Sequence, residues 1–280
     1  MSVLLEIPDG NPWWVSPNLW TVPGNDPNGP AGLPIAGQPA YLYAKVTNNG
    51  TDSVTDATVR FYWANPSVGF DRNSANLIGT SNVSLNAGET QDVLCLVPWI
   101  PVFVNGGHEC ILGEAFHPTF DPLPMTPVFN VPTDRHVAQR NLSVVMTVKK
   151  MFSFAFEVFN KERVARTFTI EAVPGKFGQI EALIPYLGRD FKLPKKEGRV
   201  KDLGFTNKPC PSSEDREKSE RGVIKLEVGP NTRVGRTLTG TLDEGAALIH
   251  VVQKCDERDV GGLSILILSQ EEKHTGGKKQ

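Results

Sequence analysis

The sequence predicts an all-β protein made of two β-sandwiches in tandem, and three observations carry that expectation. Turn formers are abundant, with 26 Gly and 22 Pro, in a chain that is 39% apolar and 21% charged, the composition of a turn-rich globular protein rather than a disordered or helical one. Short runs in which every second residue is apolar recur between Gly, Pro and Asn breaks at the spacing of sandwich strands. A strand-and-turn pattern in the first half returns in the second, and 280 residues suit two domains of about 100–150 residues, each able to bury a core.

Residues 1–39 open the chain as a Pro- and Gly-rich segment. Eight prolines between Ile7 and Pro39 rule out helix and favour extended backbone, and Trp13, Trp14 and Trp20 are expected to pin it on the first domain. The first sandwich is expected over 40–148. Tyr41 to Thr47 reads as a strand closed by Asn48-Asn49-Gly50, a turn of residues that tolerate left-handed backbone. Ala57 to Trp63 alternates Val59, Phe61 and Trp63 against Thr58, Arg60 and Tyr62, so one face is buried. Strands follow at Asn82 to Leu85, Gln91 to Trp99 and Glu109 to Phe116, with Gly88, Pro101 and Gly106-Gly107 between them. A Pro-rich stretch, Pro118 to Pro132, leads to a strand from Arg140 to Val148 that closes the first domain and runs on into the second.

The second sandwich is expected over 149–270. Phe152, Phe154, Phe156 and Val158 share one face with strict period two, the clearest strand in the chain, and Asn160 follows as a turn residue. Thr167 to Val173, Gly222 to Val228, Ala246 to Gln253 and Gly262 to Leu268 supply further strands. The stretch 188–221 is dense in charge and Pro and reads as a long exposed insertion, preceded by a helical turn around Glu181 to Tyr186. Residues 271–280 read as a disordered tail.

The repeat pairs Val46-Thr-Asn48 with Val158-Phe-Asn160, Ser84 to Gly88 with Glu227 to Asn231, and Gly107 to Ala115 with Gly245 to Gln253. Val46-Thr-Asn-Asn-Gly50, followed by Gly88, Val93, Trp99 with Pro101 and Gly107-His-Glu-Cys110, resembles the bacterial immunoglobulin-like, CARDB-like modules over about residues 38–148, with a weaker repeat in 149–270. The resemblance implies two immunoglobulin-like Greek-key sandwiches and an adhesive or accessory role without catalysis. Such modules usually sit in exported chains, whereas Met1 to Asp9 lacks a basic n-region and meets Pro8 before any apolar h-region forms. The chain is therefore expected in the cytoplasm unless a non-classical route exports it.

A formal net charge of −2 gives no field to attract nucleic acid, and no stretch approaches the roughly 20 apolar residues of a membrane span. Cys95, Cys110, Cys210 and Cys255 lack CxxC spacing and read as reduced thiols, with Cys95–Cys110 or Cys210–Cys255 as the pairings open to an exported chain. The sequons at Asn49, Asn82 and Asn141 carry the same condition. The sequence holds no GxSxG, SxxK, P-loop or GxGxxG.

Four constellations could carry chemistry. His108, Glu114, His117 and His136, with Glu109, Asp121 and Asp134 nearby, are residue types that ligate Zn²⁺ or another divalent metal. On a strand, however, His108 and Glu109 point to opposite faces while His108 and Glu114 share one, and HExxH is absent. Arg135 or Arg140 would fork onto Asp134, Asp121 or Glu114, as a clamp on the crossing between domains or as a ligand site. Trp13 and Trp14, adjacent on an extended segment, would expose at least one indole for a protein or a sugar, whereas Trp63 and Trp99 read as core. Lys192, Lys195, Lys196, Arg199 and Lys201 would meet an acidic partner or simply cover a solvated loop.

The function expected from these readings is non-enzymatic: a binding, adaptor or structural module in a bacterial assembly or adhesion system, with a protein partner and no cofactor. The alternatives are a carbohydrate-binding module using Trp13 and Trp14, and a metal-dependent hydrolase built on His108, His117 and His136. Oligomeric state and partner identity are not readable from the chain.

Overall fold

The computed structural model describes residues 2–64, 70–102, 110–208, 212, 214–215 and 220–270. The first half forms β1 (Leu5–Glu6), β2 (Leu19–Pro23), β3 (Ala40–Asn48), β4 (Val54–Ala64), β5 (Asn76–Leu85), β6 (Thr90–Leu94), β7 (Cys110–Phe116) and β8 (Val137–Arg140). One sheet centres on β3, with β1 and β2 on one edge and β6 on the other, all antiparallel. The second sheet runs β5-β4-β7-β8. Alternation dictates the core: Leu42, Ala44 and Val46 of β3 face Val59 and Phe61 of β4 across the sandwich, joined by Leu5, Leu19, Val83, Leu85 and Trp99.

The second half forms β9 (Leu142–Met146), β10 (Met151–Asn160), β11 (Arg166–Pro174), β12 (Val200–Thr206), β13 (Glu220–Arg221), β14 (Val223–Val228), β15 (Thr232–Leu242), β16 (Ala246–Cys255) and β17 (Arg258–Leu268). Its sheets run β10-β15-β12-β13 and β14-β11-β16-β17-β9, antiparallel except where β9 lies parallel to β17. Phe152, Phe154, Phe156 and Val158 fill the core with Phe168, Ile170, Val251, Leu263 and Ile265.

The strand orders show the duplication. The β3–β6 pair corresponds to β10–β15, and β5-β4-β7-β8 corresponds to β14-β11-β16-β17. This is the immunoglobulin-like arrangement of a short sheet on a four-strand sheet, used twice, and it matches the repeat seen in the sequence.

Three sequence expectations change. The insertion 188–221 is not wholly a loop: β12 pairs with β15 and buries Phe205, because Leu203 and Phe205 supply enough apolar surface to add a strand to the sheet edge. The run Arg140 to Val148 is two strands, with β8 in the first sandwich and β9 in the second. Asn141 stands buried at the changeover, its backbone N–H donating to Trp14 O (2.9 Å) and its Nδ2 to Gly262 O (2.9 Å), so its sequon is closed to glycosylation in the folded chain. The opening segment packs on both sandwiches rather than on the first alone. Trp14 and Val15 join Leu142, Ile180, Leu183, Leu187, Leu248 and Leu266 in a third apolar cluster on the outer face of the second sandwich. Trp14 lies so close over Gly262 that a Cβ there would come within 2.5 Å of the indole. The expected helical turn is present as a 3-10 turn over Glu181–Tyr186 and covers that cluster, while the expected tail lies outside the described residues.

Candidate functional site

The metal-ligand candidates are engaged elsewhere. His108 and Glu109 lie outside the described residues. Glu114, central on β7 and fully buried, accepts from Tyr62 Oη (2.7 Å), Arg72 Nε (2.7 Å) and Arg60 Nη1 (3.3 Å). Two guanidiniums therefore neutralise it, and Arg72 also ties down the carbonyls of Thr126 and Val128, closing the Pro-rich loop over the sheet. Burial, with the Glu114 charge and its hydrogen bond, pushes the Tyr62 phenol up, so it stays a donor. His117 turns the other way, stacking on Phe120 while its Nδ1 accepts from the N–H groups of Thr119 and Phe120.

His136 sits buried between two carboxylates. Its Nδ1 bonds Asp134 Oδ1 at 2.6 Å, and its Nε2 lies 3.2 Å from Asp121 Oδ1. Arg135 pairs with the same Asp121, which also accepts Leu5 N–H at 2.6 Å. Burial works against a charged His136, but the bond to Asp134 and the nearby Asp121 carboxylate outweigh it and raise its pKa, while the imidazole holds Asp134 low against its own burial. Arg135 thus meets Asp121, one of the acceptors expected for it, but the contact joins β1, the loop and the entry to β8 within the first sandwich rather than clamping a crossing between domains. Arg140 departs from the expected carboxylate fork. It is buried and donates instead to Leu19 O and Tyr186 O, both at 3.2 Å, and burial brings its pKa down to about 10. Among the described residues no three His, Cys, Asp or Glu side chains are grouped to hold a metal ion.

Trp14 is not at the surface, which corrects the expected exposed Trp13–Trp14 platform. Its Nε1 donates to Ser264 Oγ (3.0 Å), Ser264 meets His250 Nδ1 (2.8 Å), and His250 Nε2 reaches Gln179 Oε1 (3.1 Å). Trp13 is half-buried and stands edge-on to Trp14, at 82° between ring planes, so the pair presents no flat stacking face. Burial brings the His250 pKa down to about 4, leaving a neutral ring that accepts at Nδ1 and donates at Nε2.

Cys95 and Cys110 are free buried thiols in different clusters, Cys255 is also free, and Cys210 lies outside the described residues. Of the basic cluster, Lys195 and Lys196 line a cleft of about 1220 Å³ with Lys149 and Lys150, where Asp243 and Glu244 pair with Lys150, Lys196 and Lys201 and offset much of the charge.

What the sequence reading did not single out is an exposed apolar surface on the first sandwich. After β6 the chain leaves the sheet edge through Leu96-Val-Pro-Trp-Ile-Pro-Val102. Trp99 turns inward, its backbone paired with Ala40, while Leu96 is 72% exposed and Ile100 58%. Val97, Val102 and Leu77 of β5 are exposed as well. A Cβ on Gly79 would meet the Val97 side chain, so Val97 lies against β5, whereas the register shift at Ile78 turns Leu77, paired with Tyr62, to the other face of that strand. The signal in the sequence is the uncharged run from Val93 to Gly107, in which Pro98 and Pro101 break the strand period.

No protein-family model matches the chain, and no curated protein does. Among solved structures it is similar to the CARDB domain of a Pyrococcus furiosus protein in complex with di-metal ions, at 17% identity over 50% of this chain and 85% of that one, TM-score 0.28. It is also similar to a collagen adhesin from S. aureus (7% identity, 83% of this chain and 88% of that one, TM-score 0.24) and to CBD12 from CALX1.2 (13%, 78% and 76%, TM-score 0.20). The immunoglobulin-like assignment stands on the strand orders above.

Proposed function

We propose that this chain acts by binding, as an adaptor or structural module of a bacterial assembly or adhesion system, and that its partner is a protein. The observation that carries this reading is the exposed apolar run of Leu96, Val97, Ile100 and Val102. Burying apolar side chains is the dominant favourable term in folding, and leaving four of them in water beside one sheet edge is what a protein-docking patch requires. Freedom from charge across the Val93–Gly107 run suits an interface core, where charged residues are depleted. A sugar-stacking role loses its support with Trp14 buried, and of the hydrolase residues His108, His117 and His136 the first lies outside the described residues while the other two are already engaged by an aromatic ring and by carboxylates. The test is to isolate the complex formed by the wild-type chain in its host and repeat it with Leu96→Asp/Ile100→Asp. The complex is lost in the variant while the fold is kept if the reading holds. An unchanged complex would overturn it.

A further inference from the structure

The internal duplication leaves one place filled in the first sandwich and open in the second. On the outer edge of β3, β2 pairs Trp20 with Tyr43 and Val22 with Tyr41, Lys45 N–H donates to Asn18 O at 2.9 Å, and β1 continues the edge at Thr47 and Asn48. β10 is the counterpart of β3, and among the described residues no strand pairs with its outer edge. Leu242 N–H donates to Lys150 O, which turns that carbonyl toward β15. Backbone alternation then aims the N–H and C=O groups of Ser153, Ala155 and Glu157 outward, matching Tyr41, Tyr43 and Lys45 of β3.

We propose that the outer edge of β10 receives an extended segment of a partner protein, which adds antiparallel to the sheet as β1 and β2 add to β3. The proposal rests on reading the chain as a protein-binding module but not on the Leu96 surface, which lies on the other sandwich. β10 lacks two of the devices that blunt an edge: its ten residues pair with β15 in unbroken register, with no Pro and no bulge. Other edges are short or irregular: β13 has two residues and β6 five, and the ten residues of β5 pair with β4 through two register shifts. The Ser153 hydroxyl is buried without a hydrogen-bond partner among the described residues, an orphan that an added strand would satisfy.

A single strand is the occupant the surroundings favour. β9 ends the facing sheet and runs through residues 147–150 directly into β10, so it flanks the free edge and stands in the way of a second copy's whole sandwich. Leu5 and Leu19 of the first sandwich's own added strands enter its core, so the segment expected at β10 alternates apolar residues directed inward with polar ones. Its residue opposite Glu157 is neutral or basic.

The experiment pans a random dodecapeptide phage library against the full chain and follows backbone amide exchange by NMR with a synthetic copy of the selected peptide. The expected result is enrichment of alternating apolar sequences that slow exchange at Ser153, Ala155 and Glu157 at least tenfold, with binding lost in Ala155→Pro and kept in Leu96→Asp/Ile100→Asp. Should Ala155→Pro fail to fold, the exchange data on the wild-type chain decide alone. Peptides that leave those three amides unprotected overturn the proposal, as does the absence of any selected peptide. Slow exchange at the same amides in the concentrated chain without peptide would name a second copy as the occupant and overturn it too. Loss of peptide binding in the Leu96 variant instead would assign the selected peptides to the other surface.

Discussion

Asn48 and Asn160 hold the same corner of their two sandwiches with corresponding bonds, each fully buried at the end of the first core strand. The Asn48 Nδ2 donates to Asp52 O (2.8 Å) and Asn86 O (3.2 Å), and its Oδ1 accepts from Gly50 N–H (3.0 Å) and Leu4 N–H (3.2 Å). The Asn160 Nδ2 donates to Val164 O (2.8 Å), Val228 O (2.9 Å) and Gly229 O (3.0 Å), and its Oδ1 accepts from Glu162 N–H (3.0 Å). In both halves one side chain joins the turn after the first strand to the turn before the paired strand. Only an amide supplies donors and an acceptor together at that point.

Replacing either Asn by Ala orphans several buried backbone groups and is expected to lower stability by about 2–4 kcal/mol. Asn→Asp keeps the shape but turns a carboxylate toward carbonyl oxygens, so it should fare no better. Denaturant unfolding of the four variants checks this, and a loss under about 0.5 kcal/mol, the size of an ordinary surface change, would contradict it.

The chain from Trp14 through Ser264 and His250 to Gln179 requires neutral imidazole. With the folded pKa of His250 near 4 and its ordinary value 6.5, the unfolded chain takes up a proton first as pH falls, so this group's stabilisation is complete above pH 6.5 and is lost as pH falls from 6.5 toward 4. His250→Gln removes the titration, and the stability difference between wild type and variant should shift in favour of the variant across that window. His136 has the opposite sign: its raised pKa adds stability below its ordinary value of 6.5 that is lost as pH rises through the folded pKa. The wild-type advantage over His136→Gln should therefore be larger on the acid side. Urea unfolding at a series of pH values reads both differences.

Glu114→Gln leaves Arg60 and Arg72 beside an uncharged amide. Removing one partner from a buried ion pair costs about 3–5 kcal/mol, and with one of the two cations half-exposed the lower end is expected. Melting temperature and denaturant midpoint should both fall, whereas chelator should leave the wild-type midpoint unchanged. A chelator-induced drop would return this cluster to the metal reading.

Most strands were legible because one face of each meets a core, and strict alternation such as Phe152-Ser-Phe-Ala-Phe records that directly. β15 was not legible although it is 11 residues long: Thr237, Thr239 and Thr241 dilute its apolar content, and Gly235 and Gly240 read as breaks. Gly240 is required by packing, since a Cβ there would come within 2.8 Å of the Phe152 ring, and that neighbour is 88 positions away in sequence. Trp14 was misjudged for a similar reason. Its partners Gly262 and Ser264 belong to the far end of the chain, so local spacing could not reveal that the indole is covered. The Arg135–Asp121 pairing was legible because both residues lie on the same loop and strand entry, but that it works within one sandwich was not.

The most direct test of the binding reading is a photo-crosslinking amino acid placed at Leu96 of the full chain in its host, with the same residue at exposed Glu227 as control. One discrete protein adduct at position 96, absent at 227 and abolished by Ile100→Asp, is the result the account predicts. No adduct at 96, or the same adducts at both positions, would contradict it.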